Sequence, residues 1–280
     1  MKRFGLLGYP LGHSLSPQLH MLLNKRAGEN VPKITYQLYQ LTQEELENEP
    51  QKIFSLNGFN VTIPYKVSII SHLDTLDTTA KLHGAVNVVA YARDGRRVGY
   101  NTDCIGFIKT MQLNGVSISG KVCILGAGGV GRMFATECAR HCCQVTIAVK
   151  EKNIPAAKTV AEDILKKLPT TSIEVQDISC LQGPFDLLIN ATPCGMYPHM
   201  NHSPVSEELL YQVKTVFDCI YNPSKTLLMR QAEQAGCKVI GGLGMLCWQA
   251  AAAQEIWLRE KFTQEQVEQV MQELESMAHQ

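Results

Sequence analysis

The second half of the chain contains short apolar runs that alternate with segments of helical periodicity. The runs have few polar interruptions, which is typical of strands buried on both faces of a parallel sheet. They cover residues 122–125, 145–149, 185–189, 215–217 and 239–240. Residues 154–168, between two of these runs, carry apolar side chains at helical spacing. This order predicts an α/β unit built on a parallel, doubly wound sheet.

The first hundred residues also alternate between strand and helix patterns. Strand patterns cover residues 3–8, 34–41, 58–63, 86–92 and 97–100. The last two flank an Asp94–Gly95 turn, which predicts a hairpin. Pro17 suits the first position of a helix with Ser16 as its N-cap, and Thr42 with Glu45 predicts a capping box for the next helix. A second α/β unit is therefore expected before the doubly wound one.

The last part of the chain has helical patterns only. An apolar stripe from Leu246 to Trp257 predicts one helix, and Thr263 with Gln266 predicts the capped start of another. No strand pattern follows residue 240. These helices therefore either cover the neighbouring sheet or return to the first part of the chain.

A glycine-rich turn follows the apolar run at 122–125. Residues 126–131 read Gly-Ala-Gly-Gly-Val-Gly, which fits G-x-G-x-x-G between a strand and a helix. In that motif the first glycine forms a tight turn, the second lets the backbone approach a pyrophosphate, and the third lets the helix pack on the strand. The N–H groups of the helix N-terminus then face the phosphates. A dinucleotide site is expected here, and the alternative is a glycine turn that binds nothing.

Composition and charge narrow the classes of partner. A length of 280 residues suits two domains, and 26 basic side chains balance 26 acidic ones. A net charge of zero argues against nucleic acid or an anionic membrane surface, but leaves room for a small anionic ligand. Glycines and Pro10 interrupt the apolar residues near the N-terminus too early for a signal peptide, and no run is long enough to span a membrane.

The cysteines and histidines add little to the chemistry. Ten cysteines without a C-x-x-C pair, in a chain with no export signal, predict reduced thiols and a cytoplasmic location. His199 and His202 have a spacing that could hold a metal ion, but the proline- and asparagine-rich surroundings favour a loop. We therefore expect no metal site.

Lys66 and Asp103 are the main candidates for proton chemistry. If Pro64 begins a helix, Lys66 lies in its first turn, where a cation opposes the helix dipole. Such a position suits a general base or proton shuttle, and an exposed lysine that tolerates the cost fits the pattern equally well. Asp103 precedes a helical pattern and could be an ordinary helix cap or a carboxylate that pairs with a lysine. Ser16, with Ser14, is similarly either a cap or part of a carboxylate-binding corner.

Eight motifs, in order along nearly the whole chain, resemble the shikimate dehydrogenase family. The resemblance is very specific because all eight occur together. The motifs are Ser14-Leu15-Ser16-Pro17, Asn60 to Lys66 (NVTIPYK), Gly84 to Asn87 (GAVN), Gly99 to Asp103 (GYNTD), Gly126 to Gly131, Asn190 to Met196 (NATPCGM), Asp218 to Pro223 (DCIYNP), and Gly242 to Leu246 (GLGML) with Gln249.

The resemblance implies a fold, an activity and a set of site residues. It implies an N-terminal α/β substrate-binding domain at 1–102, a Rossmann-type domain at 103–245, and C-terminal helices (about 246–280) that return to the first domain. The implied reaction is reversible hydride transfer between a nicotinamide cofactor and shikimate or 3-dehydroshikimate, in the pathway to aromatic amino acids. Lys66 and Asp103 match the catalytic pair. The implied substrate ligands are Ser14, Ser16, Thr62, Asn87, Tyr221 and Gln249. The implied cofactor residues are Gly126, Ala127, Gly128, Gly129 and Val130 at the pyrophosphate, and Cys219 and Gly242 near the nicotinamide.

The residues after the second strand of the nucleotide unit depart from the family pattern. The family usually has Asn-Arg-Thr or Asn-Arg-Ser there, and the arginine and hydroxyl hold the 2′-phosphate of NADP. This chain has Val149-Lys150-Glu151. Lys150 is a point charge without the fork of an arginine, and Glu151 would repel a phosphate or accept from a ribose hydroxyl, as in NAD enzymes. NADP is the expected cofactor and NAD is the alternative.

Two other functions remain open at this stage. One is an NAD-preferring quinate/shikimate dehydrogenase of the same fold, which would differ in the size of its substrate pocket. The other is a nucleotide-binding sensor without turnover, against which the presence of both Lys66 and Asp103 argues. In every case the expected partner is a small molecule, with neither nucleic acid nor membrane, and the chain is expected to be a monomer or homodimer.

Overall fold

The computed structural model describes residues 1–12, 14–29 and 31–278. The twelve strands are β1 (Lys2–Gly8), β2 (Ile34–Gln40), β3 (Gly58–Val61), β4 (Thr75–Leu76), β5 (Val88–Tyr91), β6 (Arg97–Tyr100), β7 (Lys121–Leu125), β8 (Gln144–Val149), β9 (Ser172–Asp177), β10 (Phe185–Asn190), β11 (Val213–Asp218) and β12 (Lys238–Gly241), counted over those residues. The helices are α1 (Ser16–Arg26), α2 (Gln43–Asn48), α3 (Gln51–Phe54), α4 (Thr78–His83), α5 (Asp103–Leu113), α6 (Gly129–Arg140), α7 (Ile154–Lys167), α8 (Glu207–Leu210), α9 (Leu227–Gln234), α10 (Leu243–Leu258) and α11 (Gln264–Ala278). Short 3-10 helices cover Ser68–His72, Glu151–Asn153 and Ile178–Cys180.

The chain forms two compact units. The first contains Met1–Phe107 and the chain from Cys247 onward, and the second contains Ile108–Leu246. No helix within the described residues is long and apolar enough to cross a membrane.

The first unit has a six-stranded mixed sheet in the order β2-β1-β3-β5-β6-β4. Strands β2, β1 and β3 are parallel, and β5 is antiparallel to both β3 and β6. One side of the sheet packs on a core around Phe59, Ile53 and Leu46, all of which are fully buried. The mixed order results from the predicted hairpin, since a short turn can join only antiparallel neighbours.

Helix α10 covers the other side of this sheet. Trp257 stacks on Phe4 with ring centroids 4.5 Å apart, and its indole N–H donates to the Val89 carbonyl at 3.0 Å. Ala253 lies in the same buried cluster. The predicted return of the C-terminal helices to the first part of the chain is confirmed.

The second unit has a six-stranded sheet in the order β12-β11-β10-β7-β8-β9, with every neighbouring pair parallel. Its strands extend outward in both directions from β7, which is the doubly wound order of a Rossmann fold. The core strands contain Cys123, Leu188 and Val216, all fully buried. The predicted fold of this part of the chain is also confirmed.

Several local features differ from the predictions. Helix α1 begins at Ser16, so Ser16 is not its N-cap; Leu15 occupies that position and has no side-chain cap hydrogen bond. The Ser16 N–H donates to the Ser14 hydroxyl at 3.2 Å. The 3-10 helix after β3 begins at Ser68, so Lys66 precedes it and does not lie in a first helical turn. Strand β9 was not predicted, because a half-exposed edge strand lacks the apolar run of a buried one.

Candidate active site

Lys66 and Asp103 form an ion pair in the first unit. The Lys66 ammonium lies 2.7 Å from Asp103 Oδ2, and the two side chains are 16% and 12% exposed. The Lys66 carbonyl accepts from the Val86 N–H at 2.7 Å, which fixes the turn after β3. The Asp103 N–H donates to Asn101 Oδ1 at 3.1 Å, so both partners have anchored backbones. The helix-dipole argument for Lys66 is wrong, but the pairing with Asp103 that the sequence allowed is present.

Asn87 holds the other oxygen of the Asp103 carboxylate. Asn87 Nδ2 donates to Asp103 Oδ1 at 2.9 Å, and it also lies 3.0 Å from Thr102 Oγ1 and 3.3 Å from Gln249 Oε1. Asn87 Oδ1 accepts from the Thr102 N–H at 2.7 Å, which fixes the orientation of the amide. One carboxylate oxygen of Asp103 therefore accepts from the Asn87 amide, and the other accepts from the Lys66 ammonium. Gln249, from α10, joins this cluster.

The hydroxyl side chains of the first unit lie in the loops that follow β1 and β3. Ser14 and Ser16 follow β1, and their hydroxyl oxygens are 3.1 Å apart. Thr62 follows β3, and its N–H donates to the Leu7 carbonyl at 2.9 Å. Since β1 and β3 are parallel neighbours, these loops leave the same edge of the sheet. Asn87 lies immediately before β5, which begins at that edge because β5 runs antiparallel to β3.

A buried polar chain supports Asn87 from within the sheet. Asn60 Nδ2 donates to the Asn87 backbone carbonyl at 3.2 Å, and Asn60 Oδ1 accepts from the Tyr36 hydroxyl at 2.7 Å. The His20 ring stacks on Tyr36 with centroids 4.2 Å apart and has a hydrogen bond with Asn60. Burial lowers the pKa of His20 to about 3. Sequence reasoning noted Asn60 only as part of a motif and missed this support, because it depends on side chains from separate segments of the chain.

Tyr221 lies in the second unit, in the loop after β11. Burial raises the pKa of its phenol, so its hydroxyl can donate a hydrogen bond at neutral pH. The preceding Ile220 N–H donates to Asp218 Oδ1 at 3.1 Å, and Asp218 also accepts from Asn190 Nδ2 at 3.0 Å. Burial raises the pKa of Asp218 to about 6. Asn190 and Asp218 end adjacent strands β10 and β11, so they hold the two loops that leave this edge.

The glycine-rich turn of the second unit has the predicted form. Gly126 has φ +102°, a left-handed conformation that favours glycine. A Cβ on Gly131 would lie 2.2 Å from the Gly126 carbonyl oxygen, so the third glycine permits the close helix–strand contact. Helix α6 begins at Gly129 and has no acidic residue in its first turn. The turn and the helix N-terminus can therefore hold a pyrophosphate, with backbone N–H groups as donors.

A cleft of about 1100 Å³ borders this turn. Of the predicted cofactor residues, Gly126, Ala127, Gly128 and Lys150 line it. Gly129 and Val130 begin α6. Glu151 is not among the lining residues, whereas Lys152, which was not predicted, is.

Cys219 and Gly242, the two residues predicted near the nicotinamide, lie close together in the second unit. A Cβ on Gly242 would lie 2.2 Å from the Cys219 carbonyl oxygen, and the Gly242 N–H donates to the Ile220 carbonyl at 3.2 Å. The structure therefore brings together the loop after β11 and the segment that leads into α10.

Comparison with known proteins identifies the family. Residues 6–89 match the model of the shikimate dehydrogenase substrate binding domain. The shikimate dehydrogenase (NADP(+)) of Shouchella clausii is 36% identical over 275 residues, which cover 96% of this chain and 98% of that protein. A chorismate mutase/shikimate 5-dehydrogenase fusion protein from Clostridium acetobutylicum is 33% identical with a TM-score of 0.87, covering 100% of this chain and 99% of that one.

A third relative was crystallised with its ligands. The shikimate 5-dehydrogenase of Thermus thermophilus, in complex with NADP(H) and shikimate, is 30% identical with a TM-score of 0.85, covering 98% of this chain and 99% of that one. Sequence identity and a shared fold thus extend over nearly the whole chain. The chain therefore belongs to the shikimate dehydrogenase family.

Proposed function

We propose that this protein catalyses the reversible, NADP-dependent reduction of 3-dehydroshikimate to shikimate. The observation that carries the proposal is the Lys66–Asp103 pair, 2.7 Å apart and oriented by Asn87. Hydroxyl and amide side chains leave the same edge of the sheet, as a ligand with one carboxylate and several hydroxyls requires. The relatives named as NADP(+) shikimate dehydrogenases support the choice of cofactor and substrate.

Lys66 and Asp103 handle the proton of the reacting hydroxyl. During oxidation of shikimate, Lys66 in its neutral amine form accepts this proton at Nζ as the hydride leaves the ring carbon, and it becomes the ammonium that pairs with Asp103. During reduction the Lys66 ammonium returns the proton to the oxygen and becomes the neutral amine again. Asp103 holds Lys66 by the charge-assisted hydrogen bond at 2.7 Å. Asn87 holds Asp103 in turn, so the pair has a defined direction before substrate arrives.

The remaining polar side chains suit the groups of shikimate. Ser14 and Ser16 present two hydroxyls 3.1 Å apart, and we assign them to the carboxylate, with the Tyr221 phenol as a further donor. Thr62, Asn87 and Gln249 can each donate and accept, and we assign them to the ring hydroxyls. Side chains that both donate and accept hydrogen bonds discriminate well against substrate analogues that lack a hydroxyl. With such an analogue, these polar side chains would be left without a hydrogen-bond partner.

The second unit fits NADP. Gly126 to Val130 would hold the pyrophosphate, Lys150 the adenosine 2′-phosphate, and Cys219 and Gly242 the nicotinamide side. Glu151 was predicted as a competing ligand of the ribose, but the lysines on both sides of it, Lys150 and Lys152, line the cleft, and these two positive charges favour NADP over NAD. When bound, the nicotinamide accepts or supplies the hydride.

We assign substrate binding to residues 1–102 with the C-terminal helices, and dinucleotide binding to residues 103–245. A net charge of zero suits an enzyme whose partners are small molecules rather than nucleic acid or a membrane. We expect a monomer or homodimer in the cytoplasm.

The test is nicotinamide reduction followed by absorbance, with shikimate or quinate as substrate and NADP or NAD as cofactor. The proposal expects the highest kcat/KM for shikimate with NADP. A preference for quinate or for NAD would contradict it and indicate a quinate/shikimate dehydrogenase. An absence of turnover in all four combinations, with cofactor still bound, would contradict an enzymatic role.

A further inference from the structure

Two segments that line the cleft beside the glycine-rich turn carry nitrogen donors. One segment contains Lys150 and Lys152, which follow β8. The other is the segment Met196–Pro204, which contains His199 and His202. All four side chains belong to exposed residues, so each can turn toward a ligand. Among the described residues that line the cleft there is neither aspartate nor glutamate.

The two lysines lie where a Rossmann fold binds the adenosine ribose. In this fold the residue that contacts the ribose 2′ position follows the second strand of the nucleotide unit, which here is β8. Lys150 lies directly after β8, and Lys152 lies in the 3-10 helix Glu151–Asn153. Lys150 also lies near Cys194, another lining residue, because its positive charge offsets part of the burial effect that raises the pKa of the Cys194 thiol.

Of the two acidic residues near this position, Asp177 has its carboxylate engaged elsewhere. The Glu151 N–H donates to the Asp177 carboxylate, and Asp177 also accepts from the Ser179 N–H at 2.7 Å and the Ser179 hydroxyl at 2.5 Å. Neither acid is among the residues that line the cleft. The lining of the cleft therefore offers four nitrogen-bearing side chains and no carboxylate to a dianionic group.

We propose that Lys150, Lys152, His199 and His202 form a phosphomonoester site that recognises the 2′-phosphate of NADP. The inference deepens the proposed function, on which it rests, and extends the site to Lys152 and the histidine segment. An arginine fork would bind the phosphate in two parallel hydrogen bonds. Here two point charges and two imidazoles surround it instead, so selectivity is distributed over several weaker contacts.

Binding of two adenosine nucleotides tests this site directly. The probes are 2′,5′-ADP, which carries the 2′-phosphate, and 5′-ADP, which lacks it, measured by calorimetry on the full chain. Lys152→Ala and the double variant His199→Ala/His202→Ala are each expected to weaken 2′,5′-ADP about tenfold, since a charge-assisted contact contributes about that much. Binding of 5′-ADP should change less than about twofold, because the phosphate contacts are not part of it. Lys158→Ala, on an exposed position of α7 outside the cleft, is the matched control and should affect neither ligand.

Two outcomes would overturn the proposal. One is an unchanged affinity for 2′,5′-ADP in both Lys152→Ala and the histidine double variant. The other is an equal loss for both nucleotides, which would mean that the substitutions disturb the cleft and not a phosphate site. Neither outcome depends on shikimate turnover. A wild-type protein that prefers 2′,5′-ADP but does not oxidise shikimate would refute the proposed function and leave this site intact.

Discussion

Replacement of Lys66 by methionine should abolish most of the turnover while leaving the protein folded. Methionine keeps an unbranched stem of similar length and removes only the ammonium, whose distance to Asp103 Oδ2 is 2.7 Å. A positioned general acid or base contributes about 10²- to 10⁴-fold to a rate. We therefore expect kcat for shikimate oxidation to fall at least about a hundredfold, which corresponds to about 2.7 kcal/mol in the activation free energy.

The KM for shikimate should change much less than kcat. The groups assigned to the carboxylate of shikimate, Ser14 and Ser16, follow β1, whereas Lys66 follows β3, so the substitution leaves the carboxylate contacts in place. A change in KM below about tenfold is expected, because only one polar contact to the substrate is lost. Steady-state kinetics with saturating NADP separate the two parameters.

Lys33→Met is the matched control, because Lys33 is an exposed lysine in the same unit and lies outside the site. It should retain wild-type kcat. If Lys66→Met kept a kcat within threefold of wild type, Lys66 would not transfer the proton, and the assignment of the pair would be refuted. If Lys33→Met lost as much activity as Lys66→Met, the loss would be a general effect of replacing a lysine in this unit and would not indicate proton transfer by Lys66.

Three further perturbations follow from the packing. Gly131→Ala should raise the KM for NADP at least about tenfold. The added Cβ would lie 2.2 Å from the Gly126 carbonyl oxygen and would displace the glycine-rich turn. An unchanged KM for NADP would contradict this prediction. Trp257→Ala should lower the free energy of unfolding by about 3–5 kcal/mol in urea titration, since the ring is 7% exposed and stacks on Phe4, and a loss below about 1 kcal/mol would contradict the packing argument. His20 has its pKa lowered from 6.5 to about 3, so between these pH values the unfolded chain binds a proton that the folded chain does not, and the free energy of unfolding should fall as pH decreases below 6.5. In His20→Gln this part of the acid dependence should disappear, and an identical pH profile of the two proteins would refute it.

Periodicity was sufficient to predict most of the fold. Apolar runs identified five of the six strands of the second unit, because strands buried on both faces differ clearly from their surroundings. Strand β9 reads Ser-Ile-Glu-Val-Gln-Asp and lies at the edge of its sheet, so half of its residues are polar. The two-residue strand β4 is too short to produce any pattern. Patterning therefore predicts the centre of a sheet better than its edges.

The residue types of the candidate site could be predicted from the sequence, but the interactions that position those residues could not. Lys66 was proposed as a proton shuttle from a helix dipole, and the structure places it before the 3-10 helix instead. What holds Lys66 is Asp103, 37 positions further along the chain, and no local pattern encodes a contact of that separation. Glu151 and Lys152 are adjacent in sequence, yet only Lys152 lines the cofactor cleft. The direction of a side chain in a single-turn 3-10 helix depends on backbone geometry that composition does not reveal.

The hydrogen bonds of Asn87 indicate how the site can bind a substrate while the orientation of Asp103 stays unchanged. An amide nitrogen has two hydrogens, but Asn87 Nδ2 has three acceptors within range: Asp103 Oδ1 at 2.9 Å, Thr102 Oγ1 at 3.0 Å and Gln249 Oε1 at 3.3 Å. The contact with Gln249 is the longest and therefore the weakest. A substrate hydroxyl that takes over this contact leaves the bonds to Asp103 and Thr102 in place. In the proposed mechanism the Asp103 carboxylate thus keeps its orientation while a substrate hydroxyl replaces Gln249 at the Asn87 amide, so substrate recognition and proton transfer can share that amide.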